Sequence, residues 1–181
     1  MATVDLGKCL SAAMDDFKKD PVTHVLAHLL FVVVNAFSFS LLSGPMAVGY
    51  VRMLDKSRRG EAIGPGDIFS AFDQFVPSLV AVLLGGIAVA VGTLLCVIPG
   101  LLVAPIVPVA ILLIARGEAD GVNALKRGWE LVKENLLMAA VTVFVLQLVA
   151  SLGVLLCFVG VLVTAPVALI GMYHLSLQLS E

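Results

Sequence analysis

The sequence predicts an all-α, polytopic integral membrane protein of three tandem units, each an amphipathic helix followed by a transmembrane hairpin, with five to six membrane segments. Three observations lead there. The first is apolarity: 60% of the residues are hydrophobic and 13% charged, where a soluble domain carries roughly 25% charged residues. The second is where the charges lie. Every Asp, Glu, Lys and Arg except Glu181 falls in 5–20, 52–73 or 116–134, leaving 21–51, 74–115 and 135–180 without charge. A spanning helix needs about 20 apolar residues, so the second and third stretches hold two spans each. The first holds two short spans, or one span and a half-span. The third observation is a repeat: Leu94 to Pro105 reads LLCVIPGLLVAP, Leu155 to Pro166 reads LLCFVGVLVTAP, and Leu41 to Pro45 reads LLSGP. Self-similarity at one period means a structural unit copied and packed on itself. The units run at about 1–59, 60–116 and 117–181.

In the first unit, Leu6, Leu10, Met14 or Ala13, and Phe17 share one helical face, an amphipathic helix over 4–17. Pro21 suits the first turn of the next helix, and the first span runs from Val22 to about Leu42. Gly44 and Pro45 are its expected hairpin turn. Residues 46–54 are apolar but short, and their crossing decides between the six-segment topology and its rival, in which the N-terminus lies on the other face. In the second unit the cluster Gly60 to Gly66 is a turn, Asp67 an N-cap, and Ile68, Phe69, Phe72, Phe75 and Val76 the stripe of a second amphipathic helix. A span from about Pro77 to Val97 turns at Ile98, Pro99 and Gly100, and Pro105 and Pro108 are expected to break the return helix. In the third unit Val122, Leu125, Trp129, Val132 and Leu136 form the clearest stripe, and spans over 137–158 and 161–178 turn at Gly160 and bend at Pro166.

Phe17, Phe69, Phe72, Phe75 and Trp129 are the expected interfacial anchors. Gly85, Gly86 and Gly92 are the expected small-residue packing face. Lys and Arg are confined to the three islands, and the positive-inside rule puts these and both termini in the cytoplasm, in an inner-membrane protein. Four aspartates in the first twenty residues argue against a cleaved leader.

Little here points to chemistry. His24 and His28 share a helix face at a spacing that can hold a metal, but no third ligand accompanies them, and two interfacial histidines are the simpler reading. Tyr173 and His174 read as interface anchors. Cys96 and Cys157 are equivalent in the repeat, as packing residues or as a disulfide, and no cysteine shows metal-ligand spacing. The charge-free stretches hold no catalytic pair and no nucleophile or phosphate motif, so no catalytic, metal or cofactor residue is expected. Asn35, Thr93, Gln147, Thr142 and Thr164 are the candidates for lining a neutral path. A net charge of −2 gives no attraction to nucleic acid.

Four segments, PMAVGYVRMLDKSRR (45–59), DIFSAFDQF (67–75), IPGLLVAP (98–105) and DGVNALKRGWELVKEN (120–135), resemble a broad family of bacterial multi-pass membrane proteins. That family includes the membrane domain attached to some glycerophosphodiester phosphodiesterases. The resemblance implies the fold and supplies no catalytic residue, and the chain carries no phosphodiesterase domain. The expected function is non-enzymatic: a membrane-organising scaffold or accessory subunit, a homo-oligomer in contact with membrane lipids and a cytoplasmic protein partner. The alternative is a transporter or channel for a neutral small solute or lipid.

Overall fold

The computed structural model describes residues 4–95, 97–155 and 157–180, and among these the chain is helical with no strand. The elements are α1 (Leu6–Lys19), α2 (Pro21–Phe37), α3 (Ser43–Arg58), two 3-10 turns (Pro65–Phe69 and Phe72–Gln74), α4 (Phe75–Leu95), α5 (Val97–Val103), α6 (Ile106–Ala115), α7 (Gly121–Lys133), α8 (Leu136–Leu155) and α9 (Cys157–Ser180). Among the described residues, three stretches are long and apolar enough to cross a membrane: Pro65–Leu95, Ile98–Ala115 and Leu162–Ser180. Two bent pairs qualify when each is taken as one span, α1 with α2 at 100° and α7 with the first part of α8 at 106°. The short α3 is not among them.

Local chemistry sets the helix starts. Asp5, Asp20 and Asp120 cap α1, α2 and α7 by accepting the backbone N–H of Lys8, Thr23 and Val122 at 3.1, 3.1 and 2.9 Å. Prolines mark the starts of α3 to α6. Pro45, Pro77, Pro99 and Pro108 each occupy the third residue of a helix, where no intrahelical N–H bond is lost.

Several expectations are thereby corrected. The first hairpin turns at residues 38–42, where Phe39 and Ser40 adopt positive φ, and Gly44 and Pro45 lie inside α3. Pro99 and Gly100 belong to α5, and Gly160 to α9, so none of them is the turn. Pro105 does break the chain, as the N-cap residue of α6, but Pro108 does not interrupt that helix, and α9 runs through Pro166. The second amphipathic helix is replaced by the two 3-10 turns, because Gly64, Pro65 and Gly66 favour a tight turn that Asp67 closes on the Gly64 N–H at 2.9 Å. Of the cysteine pair expected at 96 and 157, Cys96 lies outside the described residues and Cys157 is described in its backbone alone.

The core centres on α3 and α6. In α3, Met46, Val48, Tyr50, Met53 and Leu54 are buried, and in α6 every residue from Val109 to Ile114 is. Glycines allow the closest approaches: Gly49 presses on the Ile68 backbone, Gly92 on Gly100, Gly85 on Val107 and Leu125, and Gly121 on Pro77. Gly86 faces open space, so it is no part of this packing. The helix faces left outward are apolar: Leu26, Leu29, Val32 and Val33 on α2, Leu83, Ile87, Val91 and Leu94 on α4, and Leu137, Val141, Phe144 and Leu148 on α8.

On α7 the expected stripe stays largely outward, with Val132 buried, and on α1 it is partly buried, at Ala13 and Phe17. Helix α7 packs on α4 and α6 through its small residues Gly121, Ala124 and Gly128, together with Val132, and leaves Val122 and Trp129 exposed. Helix α1 buries Cys9, Ala13, Asp16 and Phe17. Phe17, expected as an anchor, lies inside the protein against His24, with ring centroids 6.1 Å apart. Phe69 and Phe72 stack on each other at 6.2 Å and stay exposed, and Phe75 opens α4 half-buried.

Candidate functional site

The charged islands meet at one end of the bundle, on the last turns of α9. From the first island, Asp16 Oδ2 lies 2.7 Å from His174 Nε2, and the backbone N–H of Asp5 donates to Gln178 Oε1 at 2.9 Å. Lys19 completes this set, donating to Asp16 at 2.6 Å. From the second island, the Tyr173 hydroxyl donates to Asp55, and Arg58 reaches the same hydroxyl at 3.4 Å with its guanidinium 5.9 Å from the ring centre. From the third, Arg116 donates to Ser180 Oγ at 3.2 Å. The last turn of α1 and the end of α3 are thus held at the same end of α9. So is the end of α6. The α2–α3 pair and the α4–α6 segment each leave this end and return to it. Tyr173 and His174 were expected as interface anchors; instead Tyr173 is 2% exposed, and both tie helices together.

The 3-10 segment is fastened to α3 by two further ion pairs. Arg52 forks onto both oxygens of Asp73 at 2.7 and 3.0 Å, and Lys56 reaches Asp67 at 2.9 Å.

Beside the contacts that together clasp the end of α9 lies a cleft of about 210 Å³. Ser43, Ala47, Tyr50, Val51 and Leu54 line it along one face of α3, over about 16 Å at 1.5 Å per residue. Val107 and Ile111 of α6 and Leu169 and Met172 of α9 close the other walls. Its two tyrosine hydroxyls are engaged elsewhere, Tyr50 with His24 Nδ1 at 3.2 Å and Tyr173 with Asp55. A cavity with such walls stays dry or takes an apolar guest.

His24 and His28 are buried inside the protein rather than placed at an interface, and among the described residues His24 Nε2 and His28 Nδ1 have no hydrogen-bond partner. Among the described residues no group of three His, Cys, Asp or Glu side chains is placed to hold a metal. The candidate path residues do not share one cavity. Asn35, Thr93 and Thr142 each donate to the carbonyl four residues back, at 2.8 Å. Thr164 bonds to the Gly160 and Ala150 carbonyls. Gln147 is exposed and borders, with Thr93, a shallow groove between α4, α5 and α8.

Comparison with family models, with curated proteins and with solved structures finds no match to this chain.

Proposed function

We propose that this chain is a non-enzymatic integral protein of the bacterial inner membrane, a membrane-organising scaffold or accessory subunit that assembles with copies of itself. On this reading it has three hairpins, with both termini and the clasp in the cytoplasm, and it belongs with the multi-pass family it resembles. What carries the reading is that Asn35, Thr93, Thr142, Gln147 and Thr164 do not converge on one cavity, as a conducting path needs: Thr93 and Gln147 share a shallow groove, and the others bond to nearby backbone or side chains. Self-assembly is supported by α4, whose outward face carries Gly86 and Ala90 one turn apart, small residues that let helices approach closely in lipid.

The deciding experiment is the native mass of the purified protein in a mild detergent. A single discrete multiple of the 19.0 kDa chain, reduced to one chain by Gly86→Ile, is the expected result. A monomer at every concentration refutes it. The second reading, a carrier, is favoured by the apolar cleft along α3, and the solute is then a lipid chain rather than a polar molecule.

A further inference from the structure

A second concavity, of about 430 Å³, lies where α7 crosses α4 and α6. Its walls are Leu84, Gly85, Ala88, Val103, Ile106 and Leu125, and its rim on α7 is Lys126, Trp129 and Glu130. It exists because α7 rests on its neighbours through Gly121 and Gly128, which places the helix too close for its larger side chains to fill the space beside α4.

The walls offer only carbon, whereas the rim offers one cation, one anion and an indole. Lys126 and Glu130 are exposed, and among the described residues neither makes an ion pair. They stand four residues apart, about 6 Å between Cβ atoms. Their order, Lys before Glu, is the weaker arrangement for a pair on one helix, so each head is available to a ligand. The other cation nearby, Arg127, is taken by Glu118 at 2.5 Å.

We infer that this groove holds one phospholipid with a primary-amine headgroup, its phosphate at Lys126, its ammonium at Glu130 and one acyl chain along Leu84, Ala88 and Ile106. An apolar trough ending at a Trp in the headgroup layer fits a lipid drawn from the surrounding bilayer. The opposed charges on the rim then select among lipids. A phosphate attracted by Lys126 is common to all of them. Glu130 repels a headgroup whose only charge is negative. It accepts hydrogen bonds from a primary ammonium, which a quaternary ammonium cannot donate. Charge-assisted bonds of this kind discriminate by about tenfold or more.

The inference goes beyond self-assembly and is read separately from it. The protein is placed in lipid nanodiscs of equimolar phosphatidylethanolamine, phosphatidylglycerol and phosphatidylcholine, released into mild detergent, and the lipid that stays bound is weighed by native mass spectrometry. Phosphatidylethanolamine should be retained about tenfold over the other two. Glu130→Gln should remove that preference while phospholipid is still retained, and Lys126→Ala should lower retention of all three. Ala88→Phe, which fills the trough, should abolish it. Retention in bilayer proportion, a preference that survives Glu130→Gln, or binding unchanged in Ala88→Phe each overturns the site. The subunit number in the same spectra is a separate readout, so loss of the lipid preference in an intact assembly leaves the scaffold reading standing.

Discussion

Gly49 offers the sharpest stability test. A Cβ at this position of α3 would lie 2.0 Å from the Ile68 carbonyl oxygen and 2.5 Å from its carbon. Ordinary contact begins near 3.4 Å, so the 3-10 segment must retreat by more than an ångström. It cannot do so freely, because Ile68 is fully buried and Arg52 and Lys56 hold Asp73 and Asp67 on either side of it. Overpacking of this kind costs about 1–3 kcal/mol, and partial exposure of Ile68 adds about 1 kcal/mol of the 1.5–3 that its full burial contributes. Against this, Ala in place of Gly within a helix gains about 0.5–1 kcal/mol. The net expectation for Gly49→Ala is a loss of about 2 kcal/mol, which lowers the Tm by about 4–8 °C for a chain of this length. Gly66→Ala is the matched control: it lies in the same segment with nothing within 4 Å and no positive φ, and should leave the Tm unchanged or raise it slightly. Thermal unfolding in detergent micelles reads both. A Gly49→Ala protein as stable as the wild type would refute the packing described for α3.

Three further outcomes are expected. Tyr173→Phe removes the hydroxyl that joins Asp55 to Arg58, at a cost of about 1–3 kcal/mol; combined with Asp55→Asn, the loss should be less than additive in equilibrium unfolding, and strict additivity would mean the hydroxyl joins nothing. Asp73→Asn weakens the fork that Arg52 makes onto the carboxylate, so hydrogen exchange in residues 65–75 should accelerate; exchange unchanged from the wild type would mean that the pair does not hold this segment. Trp129 is the single tryptophan; its fluorescence should be quenched by brominated lipid and resist aqueous iodide, and the reverse pattern would remove it from the interface.

Much of the architecture is legible in the sequence because charge is so strongly confined. With every ionic group but one in three islands, the helices between them follow from composition alone. Turn positions were not legible, and the reason is proline. Seven of the eight prolines sit at or just inside a helix start, where the ring costs no hydrogen bond, so the residues that look like turns are helical and the real turn at 38–42 uses Phe39 and Ser40. The repeat misleads in the same way: Pro45 is the third residue of α3, Pro105 the N-cap residue of α6, and Pro166 mid-helix in α9. What the α7 stripe did not signal is the small-residue face beside it, Gly121, Ala124 and Gly128, which close packing selects against α4 and α6. Nothing in the sequence signalled that His174 would find Asp16, or Tyr173 Asp55, since each pair is more than a hundred residues apart.

That separation has a consequence for biosynthesis. Helix α9 follows in the chain every group it ties, so Asp16, Asp55 and Arg116 all emerge well before their partners. Helices that form in order of synthesis therefore pass through a stage in which the earlier ones are made but not yet fastened to one another, with Asp16 and its neighbours lacking their partners. The arrival of α9 ends that stage in a single step and joins all three charged islands at once. A chain stalled before α9 would be a set of loosely associated helices, with its charged end open to proteases.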